Sequence, residues 1–225
     1  MFRYFFRSIV LAMIVLSPPL FFSRLYDCDW YRQTLLDWIN HLNIPPNLPE
    51  NTRILELGCG PGDLSAELAI AGYSVIGADR SGRMIKRTKK LKTNAKFVQA
   101  DALHLPMANI EFDAVILASL INLVPERAKL LKEIKRVLKP GGVVSVLFPT
   151  HSFNGAKAED ISTKRNLGHF SSAALSVWAV FGKSLDPGGI CNEFTDAGFE
   201  NISTEFYLEN GLASITAYKS STSKE

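Results

Sequence analysis

The stretch Ile54-Leu55-Glu56-Leu57-Gly58-Cys59-Gly60-Pro61-Gly62 constrains the fold more than any other part of the chain. A short apolar strand with one acidic residue stops at glycines on three alternate positions. Glycine lacks a Cβ and adopts positive φ at little cost, so backbone can approach a ligand closely there. Residues 63–71 have helical composition. A strand, a glycine turn and a helix in that order predict a ligand cradle at the strand's C-terminal end. An ordinary glycine turn is the plainer reading of these residues taken alone.

Spacing discriminates between ligands. In the dinucleotide fingerprint Gly-x-Gly-x-x-Gly, Gly58 and Gly60 fit, but Asp63 stands at the third glycine position. A carboxylate at a helix start repels a pyrophosphate. The Gly-Lys-Ser/Thr ending of a phosphate loop is absent. An adenosine ligand without phosphates remains. Residues 73–78 read as a second short strand followed by Asp79. It lies about 20 positions past the glycine loop, where a carboxylate can grip a ribose diol. Residues 96–100 read as a third strand running into Asp101-Ala102, and 112–118 as a fourth. A helix is predicted over 126–139, closed by Pro140-Gly141-Gly142, and a fifth strand over 143–148. Strands alternating with helices imply a mostly parallel sheet covered on both faces. The plainer roles of the two acids are a solvated turn aspartate for Asp79 and a helix N-cap for Asp101.

The Glu-x-Gly-x-Gly-x-Gly pattern at 56–62, Asp79, Asp101-Ala102 and the phrase Arg136-Val137-Leu138-Lys139-Pro140-Gly141-Gly142 resemble the class I S-adenosylmethionine-dependent methyltransferases. The resemblance runs over residues 52–148. It is strongest to the small-molecule branch that includes ubiquinone and menaquinone biosynthesis methyltransferases. It implies an α/β, doubly wound, mostly parallel seven-stranded sheet with an antiparallel C-terminal strand (the Rossmann-like methyltransferase fold). It implies S-adenosyl-L-methionine as cofactor, held by Glu56, Gly58, Cys59, Gly60, Gly62, Asp79, Arg80, Asp101, Ala102 and Ala118. In that family the acid at the Asp101 position binds the adenine amino group. The phrase Ala197-Gly198-Phe199 also matches. Two strands follow it over 200–208 and 212–218, joined by Glu209-Asn210-Gly211, a hairpin signal. Further helices are predicted over 170–182 and 190–197.

Methyl transfer from a sulfonium is an in-line displacement. It asks the protein to align the reactants and exclude water. A base is needed only if the nucleophile must lose a proton, and no metal is required. An acceptor entering over the ends of the fourth and fifth strands would meet Ser119, Asn122 and His151. His151 is the candidate base or polar anchor, with a surface loop histidine as the plainer reading. His169, in the variable segment, is a candidate lid residue, and His104 a loop support. Many small-molecule members carry a histidine where this chain reads Leu120-Ile121-Asn122-Leu123. The apolar N-terminus and the aromatic residues near Trp178 suit a small hydrophobic acceptor such as a quinone, lipid or natural-product ring. Three alternatives stay open: a non-catalytic cofactor-binding regulator, a methyltransferase acting on protein or nucleic acid, and a nicotinamide-dependent oxidoreductase, against which Asp63 argues.

With 225 residues the chain can build one full α/β core. Cys28, Cys59 and Cys191 lack metal-like spacing, and the odd count suits a reducing compartment. Cys59 reads as a small residue packed near the ligand. Residues 1–22 are strongly apolar. The stretch 8–22 is shorter than the roughly 20 residues a membrane crossing needs, and Pro18-Pro19 would break it. A signal peptide would lack a clear cleavage pattern. Arg3 and Arg7 favour a cytoplasmic N-terminus, so a single crossing would export the catalytic domain. A monotopic anchor and a helix packed on the domain both remain. The organisation expected is a hydrophobic segment 1–25, a methyltransferase domain 26–219 and a polar tail 220–225. The protein is expected in the cytoplasm, or peripheral to the cytoplasmic membrane face. Net charge is only +3, yet residues 80–96 hold eight basic and no acidic residues. This basic run is expected as a helix with a solvated face. An anionic lipid surface is its second reading. Nucleic acid comes last, because no aromatic interleaving accompanies the run.

Overall fold

The computed structural model describes residues 2–42 and 52–221. The apolar runs form seven strands: β1 (Arg53–Leu57), β2 (Ser74–Asp79), β3 (Lys96–Gln99), β4 (Phe112–Ala118), β5 (Leu138–Pro149), β6 (Phe199–Tyr207) and β7 (Leu212–Lys219). They make one sheet in the order β3-β2-β1-β4-β5-β7-β6. β1 to β5 pair in parallel, while β7 is antiparallel to both β5 and β6. The doubly wound, mostly parallel sheet expected from the sequence is therefore observed. β1 and β4 are fully or nearly fully buried through Ile54, Leu55, Leu57, Val115, Ile116 and Leu117, as strands covered on both faces must be.

The helices are α1 (Phe2–Leu16), α2 (Pro18–Tyr26), α3 (Asp29–Asn40), α4 (Asp63–Ile70), α5 (Gly82–Thr88), α6 (Arg127–Val137), α7 (Gly155–Lys164), α8 (His169–Phe181) and α9 (Pro187–Asp196). One sheet face is covered by a core that includes Leu25, Trp38, Leu64, Ile161 and Leu175. The other is covered from α6 and α9 through Leu130, Ile134 and Phe194. The strand order reverses between β2-β3 on one side of β1 and β4-β5 on the other. The crevice at the C-terminal ends of these strands is where such sheets bind ligands.

Four local features differ from expectation. Pro140-Gly141-Gly142 does not close α6: Leu138 already pairs with Phe112, and pairing resumes at Ala114 with Val143. Residues 139–142 bulge between these points, a position that tolerates proline. Arg136 locks this corner, donating to the carbonyls of Leu105 and Met107 and to the Glu133 carboxylate. That hydrogen bond holds the Glu133 carboxyl down to about 2. The basic run is not one helix, since α5 spans only seven residues. Continuing it would set Lys86 against Lys89 and Lys90 at like-charge helical spacing. Finally, α3 and α7 had no counterpart in the sequence reading.

The N-terminal segment packs on the domain. α1 lies along α8, Ser17 breaks the path, and Pro18 starts α2, where its missing N–H costs nothing. In α3, the fully buried Trp38 donates Nε1–H to Ser145 Oγ of β5 at 2.8 Å. No helix among the described residues is long and apolar enough to cross a membrane. Of the tail expected over 220–225, residues 222–225 lie outside the described residues.

Candidate active site

A cavity of about 730 Å³ lies over the C-terminal ends of β1, β2 and β4, within the range of about 300–1,000 Å³ usual for small-molecule sites. One wall is the turn between β1 and α4. Gly58 and Cys59 donate their N–H groups to Ala78 O, tying the turn to β2. Gly60 has φ +56°, and a Cβ there would meet nothing within 4 Å. Its backbone faces open cavity. Gly60 N–H donates to Asp79 Oδ2 at 2.9 Å, and Ser81 N–H donates to Oδ1 at 2.8 Å. Gly62 serves a different purpose. It has φ +90°, and a Cβ would stand 2.6 Å from the Phe97 ring. It lets α4 start against β3 and does not line the cavity.

Glu56 lies at the base of this wall, buried, and accepts a hydrogen bond from Ser65 Oγ. Burial pushes its carboxyl up to about 7, and the neighbouring carboxylates of Asp63 and Asp79 add to the effect. Burial also pushes the Cys59 thiol up, which disfavours the nucleophilic thiolate. Arg80, Asp101, Ala102 and Ala118 line the same cavity. Asp101 accepts from Leu103 N–H through Oδ1 at 2.9 Å. Thus every sequence-predicted cofactor position except Gly62 reaches this space.

The facing wall comes from parts of the chain that carried no motif. Phe21, Leu25 and Tyr26 of α2, Tyr31 of α3, and Trp178 of α8 line it. Burial pushes the Tyr31 hydroxyl up, with Glu56 and Asp63 reinforcing the shift. Asp63 accepts from Ser23 Oγ of α2 at 3.3 Å, and Tyr26 donates to Glu67 of α4. These bonds fasten the N-terminal helices to the glycine-loop helix. The one usable sequence signal was the run of aromatic residues Tyr26, Trp30 and Tyr31 at the junction of α2 and α3.

Ser119 and Asn122 line the cavity, as expected. Asn122 is buried and donates Nδ2–H to Lys183 O at 3.0 Å. Its Oδ1 has no hydrogen-bond partner among the described residues. The two candidate histidines are elsewhere. Thr150 N–H donates to Gly211 O at 2.9 Å, holding the chain to the β6–β7 turn after β5 ends. His151 then lies exposed with Nδ1 2.9 Å from Ser184 Oγ. His169 starts α8 and stacks on Phe6 of α1, ring centroids 5.3 Å apart. Neither lines the cavity, so the placement of His151 at the opening and of His169 in a lid over it is corrected. His104 stands 2.8 Å from Lys129 Nζ, outside the cavity lining. Among the described residues, no group of three or more His, Cys, Asp or Glu is arranged to hold a metal ion.

Residues 55–146 match the family model described as a methyltransferase domain. The demethylmenaquinone methyltransferase of Renibacterium salmoninarum is 37% identical over 172 residues, covering 72% of this chain and 72% of that protein. The chain belongs to the class I S-adenosylmethionine-dependent methyltransferases. The demethylmenaquinone methyltransferase of Staphylococcus saprophyticus is 35% identical over 116 residues. That match spans only half of the relative's length, 50%, and 49% of this methyltransferase. The fold is shared with an S-adenosylmethionine-dependent methyltransferase of Thermotoga maritima, at a TM-score of 0.65 and 20% identity, covering 93% of this chain and 98% of that one. It is shared also with Haemonchus contortus phosphoethanolamine N-methyltransferase 2, solved with S-adenosyl-L-methionine, at a TM-score of 0.62 and 16% identity over 88% of this chain and 57% of that one.

Proposed function

We propose that this methyltransferase moves the methyl group of S-adenosylmethionine to a small apolar acceptor of quinone, lipid or natural-product type. The observation that carries the reading is the two-sided cavity. A glycine loop with carboxylates forms one wall, and aromatic and aliphatic side chains of α2, α3 and α8 form the other. The names of the demethylmenaquinone methyltransferase relatives support the acceptor class.

The residues present fit the cofactor. An ionised carboxylate has about four acceptor sites, and the bonds from Gly60 and Ser81 occupy two at Asp79. The remainder accept from a ribose diol. The open face of Gly60 leaves room for an adenosine at van der Waals distance. Asp101 takes the adenine amino group, while Arg80, Ala102 and Ala118 bound the same space. Glu56, whose carboxyl burial pushes up to about 7, is drawn into its ionised form by a cationic ligand and then supplies negative charge toward it. When bound, the cofactor supplies an already activated methyl group.

The chain's own part is alignment and dryness. Phe21, Leu25 and Trp178 exclude water from the acceptor side. Asn122 Oδ1 accepts a hydrogen bond from a hydroxyl of the acceptor and fixes its orientation. A buried acceptor atom left unpaired costs about 1–3 kcal/mol, so a ligand donor at this point is strongly favoured.

The test is transfer of a tritium-labelled methyl group from S-adenosylmethionine to a short-chain demethylmenaquinone kept reduced as its hydroquinone by dithionite, the form that carries hydroxyls and a nucleophilic ring carbon, followed by organic extraction. Extracted label is expected, with kcat/KM reduced about tenfold in Asn122→Ala, the factor that one lost hydrogen bond of about 1.4 kcal/mol gives. Cofactor binding without label in any apolar acceptor would sink the proposal and favour a non-catalytic binder.

A further inference from the structure

The N-terminal helix α1 carries two charged residues, Arg3 and Arg7, and is otherwise mostly apolar. Its inner side, with Phe6, Val10 and Met13, packs into the core. Its outer side is exposed at residues 5, 8, 11, 12, 15 and 16, and only Ser8 among these is polar. Val15 and Leu16 are each 74% exposed. An apolar helix face is ordinarily buried, yet nothing among the described residues covers the outer side of this one. At about 1.5 Å per residue it is too short to cross a hydrocarbon core of about 30 Å.

The surface continues to the cavity. Phe22 and Phe181 line the cavity and are themselves 40% and 67% exposed, so they belong to its rim. Basic residues adjoin it. Arg83 Nη2–H donates to Leu16 O at 2.9 Å, joining α5 to the end of α1. Residues 1–26 contain three basic and no acidic residues, and residues 80–96 contain eight basic and none acidic. Arg80, Arg83, Lys86, Lys89, Lys90 and Lys92 are all exposed. An apolar face bordered by cations complements one surface chemistry, a bilayer with anionic headgroups.

We propose that the outer face of α1, the rim residues Phe22 and Phe181, and the cations of α5 and the turn after it (residues 83–92) form a docking surface for an anionic lipid bilayer, so that the cavity opens toward the lipid. The apolar side chains enter the headgroup boundary while the lysines and arginines meet lipid phosphates. An acceptor dissolved in the bilayer then reaches the cavity without crossing water. Only this last step rests on the apolar-acceptor reading; docking itself does not.

The experiment is flotation of the full chain with vesicles of phosphatidylcholine alone and of an equimolar phosphatidylcholine–phosphatidylglycerol mixture. Floating is expected on the anionic vesicles, weakened by salt. The double variant Val15→Ser, Leu16→Ser should lose at least tenfold in partitioning. Lys86→Gln and Lys90→Gln should each lose about fivefold on anionic vesicles and nothing on neutral ones. All variants should bind S-adenosylhomocysteine in vesicle-free solution as the natural chain does, which separates this surface from the cofactor site. The proposal is overturned if the folded protein floats with neither vesicle, or if the serine variant floats like the natural chain. It is equally overturned if light scattering finds a dimer that the serine substitutions dissolve while no vesicle is bound.

Discussion

Asp79 and Glu56 stand on the paired strands β2 and β1 in the cavity wall, Glu56 opposite Gly77, and their surroundings differ. Asp79 receives two backbone N–H groups, whereas Glu56 is buried with one hydroxyl partner and two nearby carboxylates. A Glu whose folded-state value is raised binds its proton more tightly folded than unfolded. Its contribution to stability is therefore full below the ordinary value of 4.5, falls as pH rises, and is gone above about 7. The loss across this window is about 3 kcal/mol at most. Glu56→Gln keeps an acceptor for Ser65 and removes the titration. Urea denaturation should find the variant more stable than the natural chain above pH 7 and flat between pH 4.5 and 7. Equal slopes for both proteins would show that Glu56 is not the titrating group. At this scale the sequence was most legible where the backbone dictates position. Acids at the ends of consecutive parallel strands must converge, and Glu56, Asp79 and Asp101 do line one cavity. His151 was misplaced because position after a strand does not specify direction. Two bonds of Thr150, from N–H to Gly211 and from Oγ1 to Asn210, turn the chain away from the cavity.

The strands and the helices between them were readable because their glycines, prolines and apolar runs are local signals. α1 and α2 were not. An apolar segment that packs on a domain and one that anchors to lipid have the same composition, and only tertiary contact tells them apart. Val10 and Phe21 are buried, each stabilising by about 1.5–3 kcal/mol. Ser23 bonds Asp63 across the cavity. A chain lacking residues 1–24 should therefore lose about 3–6 kcal/mol, out of a whole-domain stability of about 5–15 kcal/mol. Its urea midpoint should fall accordingly. An unchanged midpoint would mean that these helices do not contribute to the core. The same reasoning explains why most of the facing wall of the cavity was not legible in the sequence, although the aromatic residues near Trp178 pointed to an apolar acceptor. That wall is built by elements distant in the chain, α2, α3 and α8, and no local signal shows that they meet over one cavity.

Across the whole molecule, the sheet fixes the glycine-loop wall and the surrounding helices fix the apolar wall. The methyltransferase-domain family model concerns the first more than the second, since it matches residues 55–146 while α1 to α3 and α7 to α9 lie outside it. The glycine-loop wall and the apolar wall thus come from different parts of the chain, joined by the bonds of Ser23 and Tyr26 to Asp63 and Glu67. The central claim is that the loop at Gly60 and the carboxylate of Asp79 hold the cofactor. Calorimetric titration of the full chain with S-adenosylhomocysteine tests it most directly, beside Asp79→Ala shown to be folded by circular dichroism. Micromolar binding by the natural chain is predicted, weakened about a hundredfold in the variant, as loss of two hydrogen bonds to a charged group would give. A folded natural chain that releases no heat, or a variant that binds equally well, would contradict the account.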